Sequence, residues 1–177
     1  MFKTMKIGAI LFALAIILVT SSCLTNSGES DPRTPAMEAK EINEAIIKLE
    51  AGGYDVDTTA LGIYYIMHEA GVDSLDLAQP GDTCYLEYTG YLIDGVVFDS
   101  SKEHFEDGIW KFVYKDAENP LIPGFEDGIS LMKKGTIIDL IIPSEFAYGE
   151  YGQGPIPPYA TLLFSAKMHD VKKVLQP

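Results

Sequence analysis

Residues Glu87 to Ser100 read EYTGYLIDGVVFDS, two runs rich in β-branched and aromatic residues that meet at Asp94-Gly95. An Asp-Gly pair in that setting is a strong hairpin signal, because a tight two-residue turn needs backbone angles that these residues adopt readily. Two more runs follow in order, NPLIPGFEDG (Asn119 to Gly128) and FAYGEYGQGPIPP (Phe146 to Pro158). Tyr88, Phe98, Trp110, Phe125, Tyr148 and Phe164 supply more ring surface than one small core would use. The histidine, serine and cysteine pattern of a covalent catalyst is missing. Together these features predict an aromatic basin with few polar atoms, suited to chemistry by burial.

The same period runs outward from the hairpin. Ile63 to His68, Thr83 to Leu92, Val96 to Ser100, Trp110 to Val113, Thr136 to Ile142 and Thr161 to Asp170 are partly alternating and read as strands, with Pro80-Gly81-Asp82 as another turn. One helix interrupts the series, Pro123 to Lys134, with Phe125, Ile129 and Met132 on one face and Gly135 as its stop. A second precedes it. Pro35 to Ala51 places Ile42, Ala45, Ile46 and Leu49 on one stripe and ends at Gly52-Gly53. That stripe lies on the domain's own flank or pairs with a second copy, and the pattern leaves both open. The expected fold is α+β, a curved antiparallel half-barrel wrapped around one short helix, with an N-terminal amphipathic helix. FEDGI occurs at Phe105 to Ile109 and again at Phe125 to Ile129, too short and too seldom for a repeat architecture.

A chain of 177 residues holds one domain plus extras. Met1 to Lys6 carries two lysines and no acid, and Ile7 to Val19 is apolar. Thr20-Ser21-Ser22-Cys23 then offers a small-residue processing site. The apolar run of about 13 residues is short of the roughly 20 a membrane span needs, so residues 1–22 read as a secretory signal peptide. Residues 23–35 read as a polar tether, residues 36–60 as the helical extension and 61–177 as the main domain. Without the leader, 11 basic and 26 acidic residues remain, a net of −15. Such a chain repels phosphate backbones, which excludes nucleic acid as an expected partner. Cys84 in TCYLEY reads as a buried core thiol. His68, His104 and His169 are too scattered to suggest a metal site, and no glycine-rich phosphate loop follows a strand. No cofactor is expected.

Two resemblances sharpen this reading. Cys23 directly after small residues resembles the lipobox of bacterial lipoproteins, although Thr20 stands where an aliphatic is usual; the expectation is an acylated Cys23 anchoring the chain to a membrane of the cell envelope, with simple secretion and a free Cys23 as the alternative. From roughly Gly71 to Lys173, the ordered set YTG, DG-x-x-FDSS, the aliphatic pair before a G-[aromatic]-E helix, AYG and IPP resembles the FKBP-type peptidyl-prolyl cis/trans isomerases, the macrolide-binding family.

The resemblance implies a site residue by residue. Tyr88, Phe98 and Asp99 match the pocket wall, and Asp99 accepts a hydrogen bond from Tyr88. Trp110, with Phe112 two residues on, stands where the family places a pocket phenylalanine. Leu121 and Ile122 match the aliphatic pair whose second member offers its backbone N–H to a bound carbonyl. Phe125 is the pocket floor, Tyr148 the phenol that reaches the substrate carbonyl, and Ile156 and Phe164 close the far rim. The loop from Glu150 to Pro158 reads one residue shorter than the common form. The implied function is isomerisation of X–Pro bonds in exported or envelope proteins, with unfolded proline-containing polypeptides as partners and macrolides as inhibitors. The competing reading is a non-catalytic prolyl-peptide-binding chaperone or assembly module.

Overall fold

The computed structural model describes residues 33–72 and 76–174. The predicted signal peptide, Cys23 and nearly all of the tether therefore lie outside the described residues. In chain order the elements are α1 (Pro35–Ala51), β1 (Asp57–Thr58), β2 (Tyr64–Ala70), β3 (Thr83–Leu92), β4 (Val97–Ser100), α2 (Ser101–His104), β5 (Trp110–Val113), α3 (Pro123–Ser130), β6 (Thr136–Ile142), a single 3-10 turn (Ser144–Phe146) and β7 (Leu162–Lys172). The strands form one seven-stranded sheet in the order β1-β2-β6-β7-β3-β4, with β5 also pairing β3. Every pairing is antiparallel.

Side-chain alternation gives this sheet two different faces. Leu86 and Tyr88 of β3, Ile138 and Leu140 of β6, and Phe164 and Ala166 of β7 join Phe125 and Ile129 of α3 in the main core. α3 therefore fills the concave side. It sits very close to β6, because Gly124 and Gly128 face that strand; a Cβ at Gly128 would collide with Leu140. The opposite face carries a smaller cluster in which Ala45 and Leu49 of α1 pack with Ile66, Ile93, Ile141 and Leu163. The α1 stripe thus lies on the domain's own flank, one of the two placements the periodicity allowed. It explains why all seven residues of β6 are buried.

Three local readings change. α3 ends at Ser130, not Lys134, since the Leu131 and Met132 amides turn back to Gly128 and Ile129 carbonyls. Those i→i−3 bonds tighten the chain out of the helix and bury Met132 completely. β1, placed by sequence within the helical extension, is a two-residue strand paired with β2. α2, a single turn between β4 and β5, was not foreseen; the Ser100 hydroxyl caps it by accepting from the Lys102 amide at 3.3 Å. Cys84 is fully buried, and burial pushes its thiol up to about 12, the state of an inert core thiol.

Candidate active site

On the concave side, a cavity of about 480 Å³ opens between α3, the β4 edge and the loop after β6. It is lined by Tyr88, Phe98, Asp99, Trp110, Pro120, Leu121, Ile122, Pro123, Phe125, Tyr148, Gln153 and Phe164. Phe125 and Phe164 form its floor, their centroids 4.5 Å apart. Tyr88 meets Phe125 at 5.9 Å and Trp110 at 5.7 Å, both edge-on, and Phe98 stands at 89° to Phe164 at 5.5 Å. These are the edge-to-face and offset geometries that the ring quadrupoles favour. Gly90 makes the packing possible, because a Cβ there would strike the Phe98 ring at 2.6 Å.

The wall residues Phe98 and Asp99 are adjacent in sequence, yet both line the cavity. The pairing of β3 with β4 steps from Gly90↔Asp99 to Tyr91↔Val97, so one extra residue bulges on β4. A bulge re-aims side chains that regular alternation would send to opposite faces. The two serines that follow secure the strand from behind. Ser101 Oγ accepts from the Tyr88 amide at 3.1 Å and donates to the Gly108 carbonyl at 2.7 Å.

The polar atoms at this hollow are few and oriented. The Tyr88 hydroxyl donates to Asp99 Oδ2 at 2.8 Å, and His104 Nε2 lies 2.7 Å from Asp99 Oδ1, so both carboxyl oxygens are engaged. Burial first, and then the bond to Asp99, pushes the Tyr88 phenol well above its ordinary value. Burial followed by the charge of Asp99 raises Tyr148 as well. Both phenols therefore remain protonated donors at neutral pH. Leu121 is steadied by its amide, which donates to Glu126 Oε1 at 3.4 Å. Ile122 is the N-cap of α3 and has no side-chain cap bond. Among the described residues nothing accepts from its N–H.

Of the eleven pocket residues expected from sequence, nine come together here. Phe112 and Ile156 do not line the cavity. Phe112 lies behind Trp110, stacked on the indole at 4.2 Å and 24°. Ile156 is turned into the core at 7% exposure, while Gln153, to which it is bridged across the loop, lines the cavity. Gln153, inside the Glu150 to Pro158 loop, and His104 both stand at the site without having been expected there. Only the spacing of five residues from Asp99, one turn of α2 away, could have suggested the latter. His68 and His169 are engaged elsewhere, with Asp139 at 2.8 Å and Glu87 at 3.1 Å.

Residues 76–169 match the family described as FKBP-type peptidyl-prolyl cis-trans isomerase. A probable FKBP-type peptidyl-prolyl cis-trans isomerase of Haemophilus influenzae is 35% identical over 149 residues, 84% of this chain and 58% of that protein. FkpA of Escherichia coli is 36% identical over 144 residues, covering 81% of this chain and 49% of FkpA. The outer membrane protein MIP of Legionella longbeachae is 32% identical over 141 residues, 78% of this chain and 56% of MIP. The chain thus spans about half the length of the curated relatives it matches. The crystal structure of Escherichia coli FkpA superposes with a TM-score of 0.62 at 34% identity over 76% of this chain and 61% of that one. A Pseudomonas syringae peptidyl-prolyl cis-trans isomerase gives 0.64 at 25% identity, covering 82% of this chain and all of that one.

Proposed function

The chain belongs to the FKBP-type peptidyl-prolyl cis-trans isomerases, and on that premise we propose that it accelerates cis/trans isomerisation of X–Pro bonds in exported or envelope polypeptides. The observation that carries the proposal is the ring-lined hollow with a phenol and a main-chain amide at its edge. An amide must lose its partial double bond to rotate, a barrier of about 18 to 20 kcal/mol. Uncatalysed X–Pro exchange therefore takes roughly 10 to 100 s. In the twisted state the nitrogen regains its lone pair and the carbonyl is less dipolar than in the planar amide. A dry site then penalises the planar ground state more than the transition state. A thousandfold acceleration needs about 4 kcal/mol of that difference.

The residues take roles accordingly. The pyrrolidine ring rests on Phe125 between Tyr88, Phe98, Trp110, Ile122 and Phe164. Tyr148 and the Ile122 amide donate to the carbonyls that flank the rotating bond and hold the twist. Asp99 acts as an acceptor that fixes Tyr88, with no proton transferred. Leu121 lengthens the apolar wall. Macrolides that bury an apolar ring beside a carbonyl would compete for the same hollow. Acylation of Cys23 would tether the enzyme to an envelope membrane; the name of the Legionella relative, an outer membrane protein, supports an envelope location.

Proline-limited tetrapeptide turnover tests the assignment, with Tyr148→Phe and Asp99→Leu beside wild type. The expected losses in kcat/KM are about threefold or more for each. A loss under twofold in both variants rejects these roles. Binding of prolyl peptides by a wild-type protein that turns none over would instead favour the chaperone reading.

A further inference from the structure

The segment from Pro143 to Thr161 carries Tyr148 and Gln153 to the cavity while its two feet stand on different strands, β6 and β7. We propose that Glu38 of α1 is a positioning residue for the isomerase site, holding Tyr148 in place by fastening both feet of this loop; the kinetic part of the inference rests on the function proposed above.

Glu38 sits on the stripe of α1 that is otherwise apolar, with Ile42, Ala45 and Leu49, and is only 6% exposed. A carboxyl group buried there is costly unless its oxygens are hydrogen-bonded. They are, and every partner belongs to the loop. Oε1 accepts from the Ser144 amide at 2.6 Å and from the Thr161 hydroxyl at 2.9 Å, and Oε2 accepts from the Ser144 hydroxyl at 2.6 Å. Ser144 opens the segment and Thr161 closes it, so one side chain spans a loop that the sheet alone leaves tied only at its strands.

From Ser144 the constraint passes directly to the phenol-bearing residue. The Ser144 carbonyl accepts from the amides of Ala147 and Gly149, at 2.9 and 2.8 Å, the two neighbours of Tyr148. The Gly149 carbonyl in turn accepts from the Tyr159 amide at 2.9 Å. A second fastening lies beside the first. Arg33, just ahead of α1, donates from Nη2 to the Tyr159 carbonyl at 3.2 Å while paired with Glu41 at 2.6 Å. Residues 33–51 lie outside the region matched to the family, 76–169, so this support is added to the isomerase domain from beyond it. A misplacement of about 1 Å at a positioned group can cost on the order of a hundredfold in rate, which is the leverage Glu38 holds over Tyr148.

The test compares wild type, Glu38→Ala and Glu38→Gln in the cold, where each is shown by circular dichroism to be folded. Proline-tetrapeptide turnover is read beside amide hydrogen exchange of Ala147, Gly149, Gly152 and Tyr159, with amides of β3, β6 and β7 as the reference. Glu38→Ala should lower kcat/KM by about fivefold or more and speed loop exchange by about tenfold or more while the sheet is unchanged. Glu38→Gln, which keeps an acceptor oxygen, should recover most of both. Turnover within twofold of wild type with unchanged loop exchange overturns the proposal, and so does exchange that quickens equally in loop and sheet. Wild type without turnover on any proline tetrapeptide overturns the isomerase reading instead, and the exchange comparison then decides the positioning role alone.

Discussion

Asp99 is placed by partners on two elements, Tyr88 from β3 and His104 from the end of α2, and neither partner is its neighbour in sequence. The same is true of His68, which reaches Asp139 across β2 and β6. The bond to Asp139 raises the His68 pKa, with burial opposing and the Asp139 and Glu69 charges adding to it. A folded-state value above the unfolded one stabilises fully below the unfolded pKa of about 6.5 and fades as pH rises through the folded value. His68→Gln should therefore lower the melting temperature most below about pH 6.5 and progressively less toward pH 8.5. A thermal-denaturation series across that range checks it, and a constant difference would contradict it. At this scale the ordered motif made Tyr88, Phe98, Phe125 and Tyr148 legible. Gln153, His104 and Glu38 were not, because their significance lies in partners that only folding supplies.

Among the elements, the contact of α3 with β6 sets the depth of the cavity, since Phe125 rides on the same helix as Gly124 and Gly128. Gly128→Ala inserts a methyl where Leu140 already stands. Overpacking of this kind costs roughly 1 to 3 kcal/mol. Denaturant unfolding should show the unfolding free energy fall by that amount, and macrolide or peptide affinity should weaken as Phe125 is pushed toward the opening. Type and order of most elements followed from alternation and turn residues. Their ends did not: the helical period in Phe125, Ile129 and Met132 continued past Ser130 because Met132 is buried, although it is buried from a turn. Burial period alone does not distinguish a last helical turn from a tightened one.

For the molecule as a whole, the decisive feature is a sheet covered on both faces. The main core fills the concave side, and α1 covers Ile66, Ile141 and Leu163 on the other. Ile42, Ala45 and Leu49 of α1 are each buried, and a fully buried aliphatic side chain is worth about 1.5 to 3 kcal/mol. Removing residues 33–53 should lower the melting temperature by about 5 °C or more and raise binding of a hydrophobic dye to the bared face. An unchanged melting temperature would show that α1 contributes little to the fold. The charge pattern belongs to this scale too, because a net of −13 acts through the summed field and not through any one pair.

Sequence by itself determined the strand succession, the hairpin at Asp94-Gly95, the apolar stripe of α1 and the identity of the rings, since each depends on local period and turn chemistry. Tertiary structure alone decided which of the expected residues stay outside the cavity and what steadies the others. The β4 bulge aims Phe98 and Asp99 the same way, Trp110 screens Phe112, and a carboxyl from α1 ties down a loop more than a hundred residues further along the chain. Those outcomes depend on register and long-range hydrogen bonds, which come into being only when distant segments meet.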